Sequence, residues 1–588
     1  MADTNIKYSD HSISSAFKDH YIVPDYQREY VWTNDQVEQL LSDLLEAFEE
    51  DNKKPYFLGT IVTCDTGSQF ELIDGQQRLT TFFLMLCAVK HLYKTAGEST
   101  DLIENLIYSP TMDPNGDTIH SYHLQLQYED AGNCLELIES GGSRPKDLAL
   151  SGERLFDAFK IITDFLSEKF SDLPQLKKFV YFLLMVTSFI RIETHDITDA
   201  LKIFETINQR GKGLDSMDLL KNMVFCQVDR NKFKELNMNW KEITRALESI
   251  EEKPLRFLRY FIMASYNTSA VKDGILREDQ IYDWLKSNNG QCQYEEKPFQ
   301  FVEKMKHDVN LYMKFRNPKD DLAGNIHLKN VTMLAGKSYK LHLMLLLAAS
   351  NMDEDAMIRF KEIIESVVYY TVINRITTNI TERTFATWCG EIREITTVEN
   401  LNAFVNRSIL PIITAWKQDN QSNFMRLSLN SMQQYRIKFI LGKITAYVDA
   451  LRQKQTIVGD MTSYVQSTVE IEHIMPQTCP DKSQYSITEE EFSIYMNRLG
   501  NLTLLENSIN KSIQNEGYDV KAKAYKQSKF YLTSALSELV DQGIDTAINR
   551  TNKILRAWPN WNKAAIEDRQ LLLYELSEMI WGIAKTGK

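Results

Sequence analysis

Two short stretches of this 588-residue sequence carry side chains whose types and spacing suit hydrolysis at phosphorus. One is Glu470-Ile471-Glu472-His473-Ile474-Met475-Pro476-Gln477, followed by Leu499-Gly500-Asn501-Leu502-Thr503-Leu504-Leu505 and then Asn510-Lys511. Cutting a phosphodiester needs a base that takes a proton from water near neutral pH, and imidazole suits that task. His473 is the candidate, and no other histidine follows His342. A hard divalent cation, Mg2+ or Mn2+, prefers oxygen ligands; the Glu472 carboxylate and the Asn510 amide carbonyl can supply them. Asn501 is placed to orient the histidine. Against this set stands strand geometry, because neighbouring residues on a strand point to opposite faces. Glu472 and His473 share a site only at a strand end or bulge, and an exposed strand end is the plainer reading of that pair.

The other stretch is Asp74-Gly75-Gln76-Gln77-Arg78-Leu79-Thr80-Thr81. Glycine permits a tight turn, and the free N–H groups of a helix start favour an anion such as phosphate. Arg78 can fork onto phosphate oxygens, Asp74 can hold magnesium or water, and Gln76 or Gln77 can orient that water. No Walker-A pattern accompanies them. A capped helix start with a structural Asp74–Arg78 pair accounts for the same residues.

Elements must position both stretches. Tyr21–Val23 reads as a short extended piece. Thr33 and Gln36 have capping-box spacing and open an amphipathic helix with Leu40, Leu41, Leu44, Leu45 and Phe48 on one face. Tyr56–Val62 and Gln69–Ile73 read as strands, the second running into Asp74; Leu79–Tyr93 is apolar enough for a buried helix. From about 150 to 450 the periodicity is helical, strongest at Leu341–Ser350, Met357–Ile373 and Gln434–Leu451. Val469–Ile474 is then a strand, Thr488 caps a small helix, Leu502–Leu505 is a second strand, and a helix starts near Asn507. Trp558, Trp561 and Trp581 belong to the core of a helical tail. The fold class expected is α+β, mostly helical: an N-terminal α/β domain over 1–230, a helical middle over 231–440, and a strand–loop–strand–helix (ββα) domain embedded in helices over 441–588.

Composition bounds the rest. Hydrophobic residues make up 43% and charged residues 25%, as in ordinary globular chains. The longest apolar runs are too short to span a bilayer. Seven cysteines stand singly, with no C-x-x-C pair; together with a start that lacks signal-peptide features, this points to a reducing, cytoplasmic setting and no membrane partner. The net charge of −13 resists DNA, so a local basic stripe must meet the phosphates. Lys521, Lys523, Lys526 and Lys529, with Lys511 upstream, form the candidate stripe; a solvated helix face is the alternative.

The C-terminal motifs resemble the HNH variant at the C-terminus of GmrSD-type restriction enzymes, including a trailing Lys521, Tyr525, Ser528, Arg550, Trp558 pattern. The resemblance implies that Glu472 and Asn510 bind metal, His473 is the base and Asn501 supports it; Glu472 stands where many HNH enzymes carry Asp. Pro24–Trp32, Phe57-Leu58-Gly59, Ile73–Thr80, Phe204–Gly211 and Leu214–Lys221 resemble, in order, the ParB/sulfiredoxin-like N-terminal domain of the same family. That implies nucleoside triphosphate (GTP or ATP) binding and hydrolysis coupled to the nuclease. Asp74, Gln76, Gln77 and Arg78 would form the nucleotide site, Gln27 and Arg28 would line it, and Asn208 and Arg210 would complete it. The family reading is a modification-dependent (type IV) DNA endonuclease acting on modified phage DNA, with a homodimer as one route to double-strand cleavage. A nuclease toxin without modification dependence and a non-catalytic nucleotide- or DNA-binding module are the competing readings.

Overall fold

The computed structural model describes residues 6–112, 115, 117–128, 131–208, 216–319, 324–454, 461–479 and 481–583. Two compact units result, Met1–Arg245 with Tyr282–Lys306, and Ala246–Ile281 with His307–Lys588. The fold is mixed α+β, with most strands in the first unit and helices dominating the second.

The first unit is built on a six-stranded mixed sheet. Its strands are β1 (Lys7–Ser12), β2 (Tyr21–Val23), β3 (Tyr56–Asp65), β4 (Phe70–Asp74), β7 (Leu124–Leu126) and β8 (Thr187–Thr194), in the order β1-β8-β3-β4-β2-β7. Strands β5 (Tyr108–Met112) and β6 (Thr118–Tyr122) pair separately. β3 runs parallel to β8 and antiparallel to β4, so the chain reaches the Asp74 turn along a central strand. Helices Asn34–Asp51 and Gln76–Thr95 both pack on helix Leu150–Lys169. From Phe82 to Val89 every side chain of the second is buried, which is why its sequence is apolar all round.

The Thr33–Gln36 capping box, β2, β3, β4 and the buried helix follow the sequence pattern. Strand β8 does not. The run Tyr181–Met185 reads as a buried helix, yet helix Leu173–Tyr181 ends in a single π-turn and passes directly into β8. Arg191 and Glu193 blur its alternation. Pairing with β1 and β3, both distant in sequence, makes it a strand.

In the second unit, helix Gln434–Arg452 packs on Asn325–Ala335 and also on helix Lys563–Trp581 and strand β10 (Leu502–Glu506). At its centre Glu365, 3% exposed, accepts from His327 Nδ1 (2.6 Å), Asn330 Nδ2 (3.0 Å) and Trp581 Nε1 (3.1 Å), and pairs with Lys443 (3.2 Å). Trp581 stacks on Tyr369 at 4.1 Å. Burial alone would raise the Glu365 pKa, but Lys443 and the hydrogen bonds of His327 and Asn330 hold it down at about 2. A depressed carboxylate stabilises the fold above the unfolded value, and that contribution vanishes as pH falls through the folded one. Acid titration of unfolding should therefore lose about 3 kcal/mol between about pH 4.5 and 2 in the native chain. In Glu365→Gln that limb should be flatter and the neutral-pH stability lower.

Candidate active site

Strand β9 (Val469–His473) pairs antiparallel with β10, placing His473 opposite Leu502 and Glu472 opposite Thr503. Helix Asn507–Ile513 follows β10 directly, completing the ββα order. The loop between the strands carries helix Glu489–Asn497, capped by the Thr488–Glu491 capping box. His473 closes its strand and is 8% exposed. Its Nδ1 lies 2.8 Å from Gln477 Nε2, while Nε2 of the ring is buried with no hydrogen-bond partner among the described residues. Burial lowers its pKa, the Asn497 side chain opposes that, and the Lys521 charge adds to it. The imidazole is thus held mainly neutral at pH 7.

Asn501 is fully buried and does not touch the imidazole. Its Oδ1 accepts from Met475 N (2.8 Å) and Trp561 Nε1 (3.0 Å), and its Nδ2 donates to Met496 O (2.8 Å) and Met475 O (3.3 Å). With every amide position occupied, it braces the backbone just after His473, while the Gln477 amide is the side chain that meets the imidazole. Gly500 is forced by packing: a Cβ there would collide with the Ile566 carbonyl oxygen. Arg569, fully buried, donates to the Gly500 and Leu502 carbonyls at 2.9 and 2.7 Å.

Glu472 and His473 do point apart, as strand geometry requires. The Glu472 carboxylate accepts from Lys521 Nζ (2.6 Å) and Tyr525 OH (3.0 Å), and the same ammonium reaches the His473 carbonyl at 2.7 Å. Lys521 is 1% exposed and cannot meet DNA from the surface, which corrects its place in the basic stripe. Lys511 and Lys523 are exposed; Lys526 is exposed but paired with Glu538 at 2.8 Å, and Lys529 is exposed beside Glu506, to which its backbone donates. Asn510 does not join Glu472 either: its Nδ2 donates to Glu470 Oε2 at 2.6 Å. The structure thus brings the Asn510 amide to Glu470 rather than to Glu472, whose carboxylate is taken by Lys521. Among the described residues, the carboxylate–histidine triplet within ligating distance is Asp65, Glu193 and His195, on the sheet of the first unit. There Glu193 is already paired with Lys7 and Arg191.

In the first unit, Gly75 takes φ +87° at the N-cap of helix Gln76–Thr95, and no side chain caps it. A Cβ on Gly75 would collide with Ile61. Arg78 is largely committed to the fold: it donates to the Leu58 and Thr60 carbonyls, both at 2.6 Å, where the β3–β8 register shifts around Gly59, and lies 3.7 Å from Asp74. Gln77 is likewise a brace, accepting from Val31 N and donating to Glu29 O, each at 2.9 Å. Gln76 Oε1 and Gln27 Nε2 differ. Both are buried and without a hydrogen-bond partner among the described residues. Arg28 binds Asp218 at 2.7 Å, a residue that sequence reasoning gave no role. Lys221, one turn further along that helix, is buried, its pKa pushed down to about 8 by burial. Burial raises the Asp74 pKa, against Arg78, the Gly75 N–H and Arg28. Arg210 lies outside the described residues, as does the Asn208 side chain.

Comparison with family models is consistent with both halves. The model for the GmrSD restriction endonuclease N-terminal domain matches residues 10–225, and that for the C-terminal domain matches residues 417–576. The chain belongs to the GmrSD restriction endonucleases. No curated protein matches it. As a GmrSD-type enzyme it is a type IV restriction nuclease whose substrate is DNA, and both stretches singled out in the sequence fall inside the matched spans. No helix among the described residues is long and apolar enough to cross a membrane. The burial of Lys521 carries a prediction for this family member. Lys521→Met leaves Glu472 buried and unpaired, so it should cost about 3–5 kcal/mol in urea unfolding. Lys523→Ala, at an exposed position, should change stability by less than about 0.5 kcal/mol.

Proposed function

We propose that this GmrSD-type chain is a modification-dependent DNA endonuclease of anti-phage defence, stimulated by a nucleoside triphosphate and cutting by HNH-type, metal-dependent hydrolysis. The observation that carries the reading is the buried, unpartnered Nε2 of His473 at the end of a ββα strand. An orphaned polar atom at such a place is costly unless a ligand or water meets it. For His473 to act as base the Gln477 amide, whose Nε2 faces Nδ1 in the structure, turns over so that its oxygen accepts from Nδ1–H, and the Nε2 lone pair takes the proton of the attacking water. A bound Mg2+ or Mn2+ would supply charge stabilisation at the phosphate oxygens. Glu470 and Asn510 would hold it, both offering oxygen.

The nucleotide reading rests on Gln76, whose buried amide oxygen at an uncapped helix start has no hydrogen-bond partner among the described residues, and on Gln27, whose buried amide nitrogen likewise has none. Arg28 and Asp74 complete the polar set at that turn, while Gln77 and Arg78 hold its walls. The cytoplasm is the compartment where modified phage DNA, nucleotide and free thiols coexist, and Cys64, Cys87, Cys134, Cys292, Cys389 and Cys479 are in no disulfide.

Incubating the enzyme with unmodified, hydroxymethylated, glucosylated and phosphorothioated DNA, each with ATP, GTP or neither, tests the proposal. Cleavage confined to a modified DNA and increased by one nucleotide is the expected outcome. Equal cleavage of unmodified DNA would favour a toxin, and indifference to nucleotide would remove the switch.

A further inference from the structure

Between the two matched spans, the second unit holds a pocket of about 500 Å³ lined mostly by charged and amide side chains. Arg259 enters it from helix Pro254–Ser265, Asn379 and Glu382 from helix Thr378–Ile392, and Lys272, Asp273 and Arg277 from the loop after the first helix. The acids are already neutralised. Glu382 pairs with Arg259 at 2.6 Å, and Asp273 pairs with Arg383 at 2.9 Å. Lys272 and Arg277 are exposed and have no ion-pair partner among the described residues, and neither Glu278 nor Asp279 lines the pocket. Two cationic charges thus remain uncompensated on a chain of net charge −13.

The loop presenting them is built rather than slack. Arg393 donates to the Tyr266 carbonyl at 2.5 Å, Arg259 Nε donates to Leu276 O, and Thr268 Oγ1 donates to Gly274 O at 3.0 Å. Asp273 and Gly274 take φ of +61° and +70°, and such a conformation at a non-glycine residue persists where its surroundings enforce it. The walls include one apolar residue, Ile275, and no aromatic ring. That composition offers no stacking surface for a base, but it suits a hydrated anion that accepts from a guanidinium, an ammonium and an amide.

We propose that this pocket binds a phosphate group, of the DNA backbone or of a nucleotide, through Lys272 and Arg277. For the DNA source it rests on the reading of the chain as a DNA endonuclease. A full-length Lys272→Glu/Arg277→Glu variant tests it, with native thermal unfolding as the control for folding and Lys272→Ala/Arg277→Ala as the milder version. DNA affinity is measured across a salt series in chelator, and ATP and GTP affinity by calorimetry. If the phosphate is DNA's, affinity should fall by about tenfold or more. The slope of log affinity against log salt should also become shallower by about 1, since one phosphate that is no longer neutralised removes about 0.9. A fall in nucleotide affinity with unchanged DNA binding supports the pocket and assigns it to a nucleotide. A folded double variant with both affinities unchanged overturns the proposal. Should the wild type bind no DNA, the endonuclease reading is what fails, and the nucleotide arm alone decides the pocket.

Discussion

A single ammonium group, that of Lys521, sets the geometry of the C-terminal site. It is bonded at once to the carboxylate of Glu472 and to the carbonyl of His473, so one side chain grips two adjacent positions of a strand from beneath. Burying two charges costs several kcal/mol each in desolvation, and such a pair persists where its geometry is good and its remaining lone pairs are satisfied. Tyr525 meets that condition by donating to the same carboxylate oxygen. The strand end is thereby braced, and the imidazole is carried on it with Nδ1 beside Gln477 and Nε2 without a hydrogen-bond partner among the described residues.

The loop beyond the strand is fixed by a second device. Asn501 spends its whole amide on Met475, Met496 and Trp561, and Arg569 holds the carbonyls on either side of it. The Arg569 bonds tie the ββα hairpin to helix Lys563–Trp581, which packs on helix Gln434–Arg452. The strand end that carries His473 is thus braced from both sides, as precise positioning of a base would require.

Much of this is legible in the residues. The order strand, loop, strand, helix follows from the apolar runs around His473 and Leu502 and from the cap at Thr488. The burial of Lys521 is not, because its spacing with Lys523 and Lys526 suggests one basic face. A signal is present all the same: Lys521 and Tyr525 are four apart and share a helix face, and Tyr525 is buried. Glu470 escapes notice because proximity to Asn510 depends on how the helix after β10 crosses β9, which spacing does not encode. In the first unit the Asp74 turn is visible from Gly75. What stays hidden is that Arg78 and Gln77 serve the backbone, since their carbonyl and N–H partners lie on segments 18 to 48 residues away. Strand β8 is hidden for the same reason, its identity residing in partners across the sheet.

The nuclease assignment stands or falls on the chemistry of one imidazole. The direct measurement compares DNA cleavage by the wild-type chain and by His473→Ala, each verified to be folded, with a divalent cation and on a DNA that the wild type cuts. A general base contributes about 10²–10⁴-fold, so the variant should lose at least about 100-fold in rate while keeping its affinity for DNA. Cleavage by folded His473→Ala at the wild-type rate would contradict the assignment of the ββα site.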